Sequence, residues 1–141
     1  RFLPATPAAT ATVADLVRDG ARAWVKPEET LYWAARHLGE RGVRPLPVLE
    51  KEGGPLLGVV DEERVLELLA AGEDLEPLLV RDYLAEAGPV LDASAPWSEA
   101  LAALADHERV LVREEDGWAP LERRDVLRAL PRLDHGSETD V

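Results

Sequence analysis

The sequence predicts a mixed α/β fold, of the α+β kind, made from two copies of one β-α-β-β-α unit. A short apolar hairpin, LPVL and LLGVV around a glycine turn, runs directly into an acidic helix start at residue 61. The same order of elements recurs in the second half, where VRDYL (80–84) matches VADLV (13–17). At 141 residues with 46% hydrophobic content, the chain suffices for one domain or for two small halves that share a core.

The first copy is predicted over residues 13–76. VADLV is read as a short helical segment and ARAWV (21–25) as a strand. Proline and acids at 27–29 then open a helix, with one apolar face at i, i+3, i+4 and i+7, and Gly42 ends it. PLPVLE and LLGVV are the hairpin strands, and Asp61 caps the helix DEERVLELLAAG, which ends at Gly72.

The second copy is predicted over residues 77–133. After VRDYL come a strand PVLD, a helix APWSEALAALADH, a strand ERVLVRE, the turn EDG, a short strand WAPLE and a closing helix RRDVLRAL. Offsets between matched residues fall from 67 (Asp15 to Asp82) to 61 (Asp61 to Glu122), as expected if turns were shortened. Residues 1–12 are predicted to be a linker rich in Pro, Ala and Thr, and residues 134–141 a flexible tail.

Composition excludes several classes of function. The net charge of −12 disfavours binding to nucleic acid or to an anionic membrane surface. The absence of Cys excludes a disulfide framework, a thiolate zinc site and a cysteine nucleophile. A chain that starts at Arg1 and lacks Met is expected to be processed or to be a piece of a longer protein. No apolar run has the length of a membrane span, so we expect a cytoplasmic module, or the cytosolic part of a membrane protein.

No enzyme is predicted, because no catalytic constellation converges in the sequence. The three histidines lack metal-ligand spacing, so no metal site is expected. The serines lack a nucleophile-elbow setting, and Ser94 or Ser98 is better explained as a helix cap. Gly58 lies inside a strand, where glycine usually marks a close approach by other backbone.

The pattern VxDL, strand, amphipathic helix, GVRPLPVLE, turn, LLGVV and acidic helix start resembles the cystathionine-β-synthase (CBS) domain. Two in tandem resemble a CBS pair, or Bateman module, over about residues 13–133. The first repeat is the better match. The second is degenerate, since it reads VLV in its middle strand and has Ala119 and Pro120 where the family usually has glycine and a β-branched residue.

The resemblance implies two repeats packed around a pseudo-twofold axis, with two clefts between them. It implies an adenosine-containing nucleotide or S-adenosylmethionine as the ligand, and an assembly of two identical chains, a homodimer. It also implies regulation of a host domain in the same longer chain, as in membrane transporters, channels and intramembrane metalloproteases. The alternative is a ligand-free module for dimerisation or docking, and a small enzyme is the least favoured reading. Neither nucleic acid nor direct membrane contact is expected.

The ligand site implied by the resemblance is the strand-to-helix junction G-h-h-[T/S]-x-x-D. Its hydroxyl faces phosphate or ribose, and its carboxylate accepts hydrogen bonds from the ribose. The first repeat reads GVVDEER, which places Asp61 and Arg64 at these positions, and the second reads APLERRD, which places Glu122 and Asp125 there. The full set of candidate ligand-binding residues is Asp125, Glu122, Asp61, Arg64, Arg124, Pro47 and Val25.

Both hydroxyl positions of the family motif are carboxylates in this chain. A buried carboxylate that faces a phosphate costs several kcal/mol by order of magnitude, unless a cation bridges the two. Asp61 and Glu122 are therefore read first as helix-start residues, favoured by the helix dipole. Phosphate partners could come from Arg44, Arg64, Arg123 and Arg124, which could equally be exposed charges. We expect a weakly anionic adenosyl ligand that uses Asp125, and no binding of ATP without Mg²⁺.

Three of the four tryptophans are assigned to the core or to the surface. Trp97 aligns with Leu31 and Trp118 with Leu57, so both are predicted at core positions. Trp33 lies off the apolar stripe of its helix and is predicted in a dimer contact, where aromatic residues are enriched.

Overall fold

A computed structural model describes residues 11–18, 23–115 and 117–138. Its elements, in chain order, are an N-terminal 3-10 helix (Val13–Leu16), α1 (Leu31–Arg41), β1 (Leu46–Leu49), β2 (Leu56–Val60), α2 (Glu62–Ala70), a central 3-10 helix (Val80–Tyr83), β3 (Val90–Asp92), α3 (Trp97–Asp106), β4 (Arg109–Glu114), β5 (Gly117–Glu122) and α4 (Arg123–Glu138). The mixed α/β class is confirmed, and so is the predicted order of elements apart from the strand at 21–25.

Each repeat keeps its own small sheet. Strands β1 and β2 form an antiparallel hairpin, with Val48 opposite Gly58. Strand β4 is antiparallel to β5 and parallel to β3, with Val112 opposite Ala119 and Leu91. Because the two sheets are separate, the repeats are two units placed side by side, without one continuous sheet through the described residues.

The strand predicted at ARAWV is reduced to a single bridge. Two of its residues, 21 and 22, lie outside the described part of the chain. Val25 pairs with Val48, donating its N–H to the carbonyl of Pro47 and accepting from the N–H of Leu49, both at 3.0 Å. The next donor in this parallel ladder would be residue 27, which is proline and has no N–H. The ladder therefore ends after one residue, whereas the matching strand β3 continues for three.

The helix ends follow the predicted chemistry with two corrections. The Asp61 carboxylate accepts from the N–H of Glu63 at 3.2 Å, as predicted for a cap, and Gly42 ends α1 with φ 65°. Neither predicted serine caps α3, since Pro96 precedes that helix and Ser94 instead donates to Asp92. Helix α4 continues to Glu138, so the predicted tail is helical over residues 134–138. Residues 1–10 of the predicted linker and 139–141 of the tail lie outside the described residues.

Two separate hydrophobic cores show that the repeats exchange their leading helices. The first core contains Val80 of the central 3-10 helix together with side chains of α1, β1, β2 and α2. The second contains Val13 and Leu16 of the N-terminal 3-10 helix together with side chains of α3, β4, β5 and α4. Each leading helix therefore packs in the core of the other repeat, although the sequence boundaries at 13–76 and 77–133 remain a prediction.

Matched hydrogen bonds hold both exchanged helices in the same way. The bond from Val13 N–H to Ala95 O matches the bond from Val80 N–H to Glu29 O, and the bond from Ala14 N–H to Ala93 O matches the bond from Arg81 N–H to Pro27 O. In the third pair, Trp97 N–H donates to Ala11 O and Leu31 N–H donates to Leu78 O. All six distances lie between 2.8 and 3.2 Å. Corresponding donors and acceptors differ in residue number by 66 or 67. This recurrence supports the pseudo-twofold relation and places the two strand-to-helix junctions at equivalent points.

Candidate functional site

Two clefts lie at the strand-to-helix junctions. The first, of about 240 Å³, is called the cationic cleft and is lined by Arg18, Gly42, Arg44, Pro120, Glu122, Arg124, Asp125 and Arg128. The second, of about 390 Å³, is called the acidic cleft and is lined by Asp61, Glu63, Arg64, Glu67, Asp82, Tyr83, Leu84 and Ala85. The α2 and α4 residues of the two linings match at a constant offset of 61, so the clefts are pseudo-equivalent.

The structure divides the predicted site residues between these clefts. Glu122, Arg124 and Asp125 line the cationic cleft, while Asp61 and Arg64 line the acidic cleft. The remaining two predicted residues, Val25 and Pro47, line neither cleft, and their role in ligand binding stays a prediction. Val25 is 1% exposed within the first core, and Pro47 is buried in β1 beside it. Both residues take part in the backbone pairing of Val25 with β1, in which the N–H of Val25 donates to the carbonyl of Pro47.

The two clefts carry opposite charge. The cationic cleft has four arginines and two carboxylates in its lining, a formal charge of 4 − 2 = +2. The acidic cleft has four carboxylates and one arginine, a formal charge of 1 − 4 = −3. The cationic cleft is therefore a local region of positive charge in a chain whose net charge is −12.

Four charged side chains join the repeats beside the cationic cleft. Arg44 Nε lies 3.1 Å from Glu122 Oε2, and Arg44 Nη1 lies 3.4 Å from Glu62 Oε1. Arg109 contacts the same two carboxylates, Glu122 at 3.6 Å and Glu62 at 3.8 Å. Glu122 raises the pKa of the Arg44 guanidinium, through the hydrogen bond first and then through its charge. Glu122 is therefore compensated by two arginines, which removes much of the expected penalty against a nearby phosphate.

Asp125 is fixed at the start of α4. Its Oδ2 accepts from the backbone N–H of Glu122 at 2.8 Å, and its Oδ1 accepts from Arg128 Nη1 at 2.7 Å. At 6% exposure it is buried, which is rare for a charged side chain unless it is paired. A carboxylate oxygen has two lone pairs, so each oxygen retains capacity for a ribose hydroxyl. The matched residue Arg64 instead contacts Glu67 at 3.3 Å and lies over the ring of Tyr83.

A backbone bridge closes one wall of the acidic cleft. Val59 and Ala85 exchange two hydrogen bonds, at 3.0 and 2.9 Å, which attach residues 84–85 to the edge of β2. A Cβ built on Gly58 would lie 3.0 Å from the carbonyl oxygen of Ala85 and 3.3 Å from Cβ of Leu84. The predicted close backbone approach at Gly58 is therefore confirmed.

The matching wall of the cationic cleft cannot form this bridge. The residue that matches Val59 is Pro120, which has no N–H to donate, and the residue that matches Gly58 is Ala119, which carries a Cβ. Arg18 matches Ala85, and its guanidinium donates to the carbonyl of Gly42 at 3.0 Å. The substitutions that make the second repeat look degenerate thus leave an arginine at the wall of the cleft.

The tryptophans partly follow their predictions. Trp97 and Trp118 are half-buried, with Trp97 packed against the second core and Trp118 Nε1 donating to the carbonyl of Gly54 at 3.3 Å. Trp33 is exposed on α1, where its ring meets His37 edge-on, and the dimer contact predicted for it stays a prediction.

Two charged residues that line the cationic cleft were not predicted from the sequence. Arg18 directly follows the VADLV segment, and Arg128 lies one helical turn after Asp125. The i, i+3 spacing of Asp125 and Arg128 is a recognisable helix-surface pair. Arg18 could have been found only by knowing that the leading helices are exchanged.

Other types of site find no support in the described residues. Within that part of the chain, no group of three or more His, Asp or Glu side chains is arranged to hold a metal ion. None of its helices combines the length and the apolar character needed to cross a membrane.

Comparison with known proteins agrees with this architecture. The CBS domain family model matches residues 12–71, and no curated protein matches the sequence. Among solved structures, the Arabidopsis thaliana CBS-pair protein CBSX2 in complex with AMP is 23% identical, with a TM-score of 0.65, over 88% of this chain and 98% of that one.

Two further structures extend the likeness. CbpB in complex with c-di-AMP is 12% identical, with a TM-score of 0.71, over 98% of this chain and 96% of that one. The CBS domain of a bacterial CNNM/CorC family Mg²⁺ transporter in complex with ATP is 15% identical, with a TM-score of 0.67, over 90% and 92%. At these identities the likeness shows the fold.

Proposed function

We propose that the chain, which has the fold of a tandem pair of CBS domains and matches the CBS domain family model over residues 12–71, is a regulatory module that senses an adenine nucleotide in the cationic cleft. The observation that carries the proposal is a cleft of net positive charge, at the junction with the retained carboxylate Asp125, in a strongly acidic chain. Structural neighbours solved with AMP, c-di-AMP and ATP support an adenine nucleotide as the class of ligand. The response passes to a catalytic or transport domain that is attached or associated.

The charge of the cleft narrows the ligand. Arg44 and Arg109 compensate Glu122, while Arg128 compensates Asp125, so a phosphate meets arginines rather than bare carboxylates. A cleft of about 240 Å³ lies below the roughly 300–1,000 Å³ usual for ligand pockets, which favours a single phosphate over three. AMP is therefore the ligand proposed. S-adenosylmethionine is not, because its sulfonium would add a positive charge to a cationic site.

Arg44 connects ligand binding to the arrangement of the repeats. It lines the cleft and also belongs to the four-charge group that joins Glu62 in the first repeat to Glu122 in the second. A phosphate that pairs with Arg44 competes with these carboxylates. Since a ligand shifts an equilibrium only by its differential affinity for the two states, this competition is the source of such a difference.

Thermal denaturation with AMP, ADP and ATP, each with and without Mg²⁺, tests the proposal. AMP at about 100 times its Kd adds about 2.7 kcal/mol and is expected to raise Tm by at least about 5 °C. Asp125→Asn retains an acceptor for the Glu122 N–H but loses the charge, and is expected to remove most of this shift. Asp82→Asn in the acidic cleft is the matched control and is expected to retain it. Absence of a shift with all three nucleotides would contradict a sensing function.

A scaffold function is the second candidate, and matched exposed leucines favour it. Leu66 of α2 and Leu127 of α4 occupy equivalent positions and are 61% and 65% exposed. Leu69, which lies one turn after Leu66, is also exposed. Apolar helix faces that recur at both repeats suit an isologous contact with a second copy of the chain.

Light scattering tests the homodimer. We expect a mass near twice 15.4 kDa at micromolar concentration, and a shift toward the monomer for Leu66→Glu/Leu127→Glu because each change places a charge in the apolar contact. Leu57→Glu, on the exposed part of β2, is the control and is expected to leave the mass unchanged. A wild-type mass near 15.4 kDa at high micromolar concentration would refute the dimer.

A further inference from the structure

We propose that each chain binds one anionic ligand, in the cationic cleft alone, because matched positions of the two repeats have inverted charge. This inference rests on the proposed function, since it names the stoichiometry and the residues that determine specificity at the same site. Two pseudo-equivalent clefts would otherwise predict two equivalent ligands per chain.

The inversion occurs at three successive lining positions. Glu63, Arg64 and Glu67 of α2 match Arg124, Asp125 and Arg128 of α4, each at an offset of 61 residues. Every matched pair has opposite signs. The backbone positions are therefore equivalent, while the electrostatic preference for a ligand is reversed.

The arginine in the acidic cleft does not offset its carboxylates. Arg64 is paired with Glu67 at 3.3 Å and lies over the ring of Tyr83 at 5.6 Å. An anion that enters there also meets Asp61, Glu63 and Asp82. Like charges at this range repel, and exposure to solvent screens the effect without reversing it.

Arginines of the cationic cleft retain donors for a ligand. The Arg124 side chain is 69% exposed, and its Nε lies 3.9 Å from Glu122 Oε1, beyond hydrogen-bond distance. Arg18 uses one nitrogen toward the carbonyl of Gly42. A guanidinium has five N–H donors in a planar fork that matches phosphate oxygens, so both side chains can turn to a phosphate without giving up a buried pair.

Isothermal titration with AMP decides between one site and two. We expect one AMP per wild-type chain. Arg124→Glu is expected to weaken binding by at least about tenfold, because it replaces a phosphate donor by a repelling charge. Arg36→Glu makes the same charge change on α1, outside both clefts, and is expected to leave the affinity within about twofold. Glu63→Arg/Glu67→Arg gives the acidic cleft the charges of its counterpart and is expected to create a second AMP site.

The outcomes separate the two proposals. Two AMP per wild-type chain, or no effect of Arg124→Glu beyond that of Arg36→Glu, would overturn the single-site inference while leaving nucleotide sensing in place. If AMP does not bind, the proposed function fails for AMP. The ³¹P line width of inorganic pyrophosphate, measured with and without the protein, then tests whether the cationic cleft binds an anion. Broadening that is lost in Arg124→Glu and kept in Arg36→Glu supports an anion receptor at the cationic cleft. Absence of broadening overturns it.

Discussion

Leu16→Ala is expected to lower the free energy of unfolding by about 2–5 kcal/mol and to loosen the second repeat before the first. Leu16 belongs to the first repeat by sequence, yet it is 2% exposed in the core formed by α3, β4, β5 and α4. The cavity therefore opens beside Val110 and Leu121, far along the chain from the change. Urea denaturation measures the cost, and native-state hydrogen exchange locates it: amides of β4 and β5 are expected to lose protection first.

Val80→Ala provides the mirror-image control. Val80 is fully buried in the first core, although it follows that repeat's last helix in sequence. Its truncation is expected to cost roughly 2 kcal/mol, from two lost methyl groups and a cavity, and to loosen β1 and β2 first. If either variant loosened the repeat that contains it in sequence, the exchange of leading helices would be wrong.

Local pattern was sufficient for most helices and for both hairpins. Period-3.6 spacing of apolar residues in α1, the Asp61 cap and glycine at residue 42 depend on neighbours within about one turn, so the sequence contains the information. The prediction of a strand at 21–25 was wrong about its pairing, because local pattern does not show whether a strand has a partner. A strand needs a partner that can continue the ladder, and proline at residue 27 removes the donor that would have extended it.

The exchange of leading helices could not be predicted from pattern. VADLV and VRDYL show that a short helix starts each repeat, but both cores are built from similar Leu, Val and Ala side chains. Nothing in the periodicity distinguishes which core receives Val13 and which receives Val80. That choice is made by tertiary hydrogen bonds, such as the bond from Val13 N–H to Ala95 O across 82 residues.

The site could be predicted only in part, again because contacts between distant segments are not visible in the sequence. The junction residues Asp61, Arg64, Glu122 and Asp125 came from the resemblance and do line clefts. The compensation of Glu122 by Arg44 spans 78 residues, so sequence reasoning treated the carboxylate as unpaired and expected phosphate to be repelled. The opposite charge of the two clefts depends on which side chains line each cleft, and these come from segments far apart in the sequence.

Gly58→Ala is expected to destabilise the protein by about 3–4 kcal/mol. The new Cβ would lie 3.0 Å from the carbonyl oxygen of Ala85, a backbone atom that cannot turn away as a flexible side chain can. Residues 84–85 must then move off β2 and lose two hydrogen bonds to Val59, each worth about 1 kcal/mol net, and repacking adds about 1–2 kcal/mol.

Ala119→Gly is the matched control, because Ala119 occupies the position of Gly58 in the other repeat and has no bridge beside it. Its cost is expected to be about 1–2 kcal/mol, from backbone entropy and one lost methyl group. Hydrogen exchange at Ala85 separates the causes: Gly58→Ala should release this amide, whereas Ala119→Gly should leave it protected. A cost below about 1 kcal/mol for Gly58→Ala with Ala85 still protected would show that the bridge tolerates a Cβ. Because residues 84 and 85 line the acidic cleft, AMP affinity in Gly58→Ala is expected to remain that of the wild type, as a single site in the cationic cleft requires.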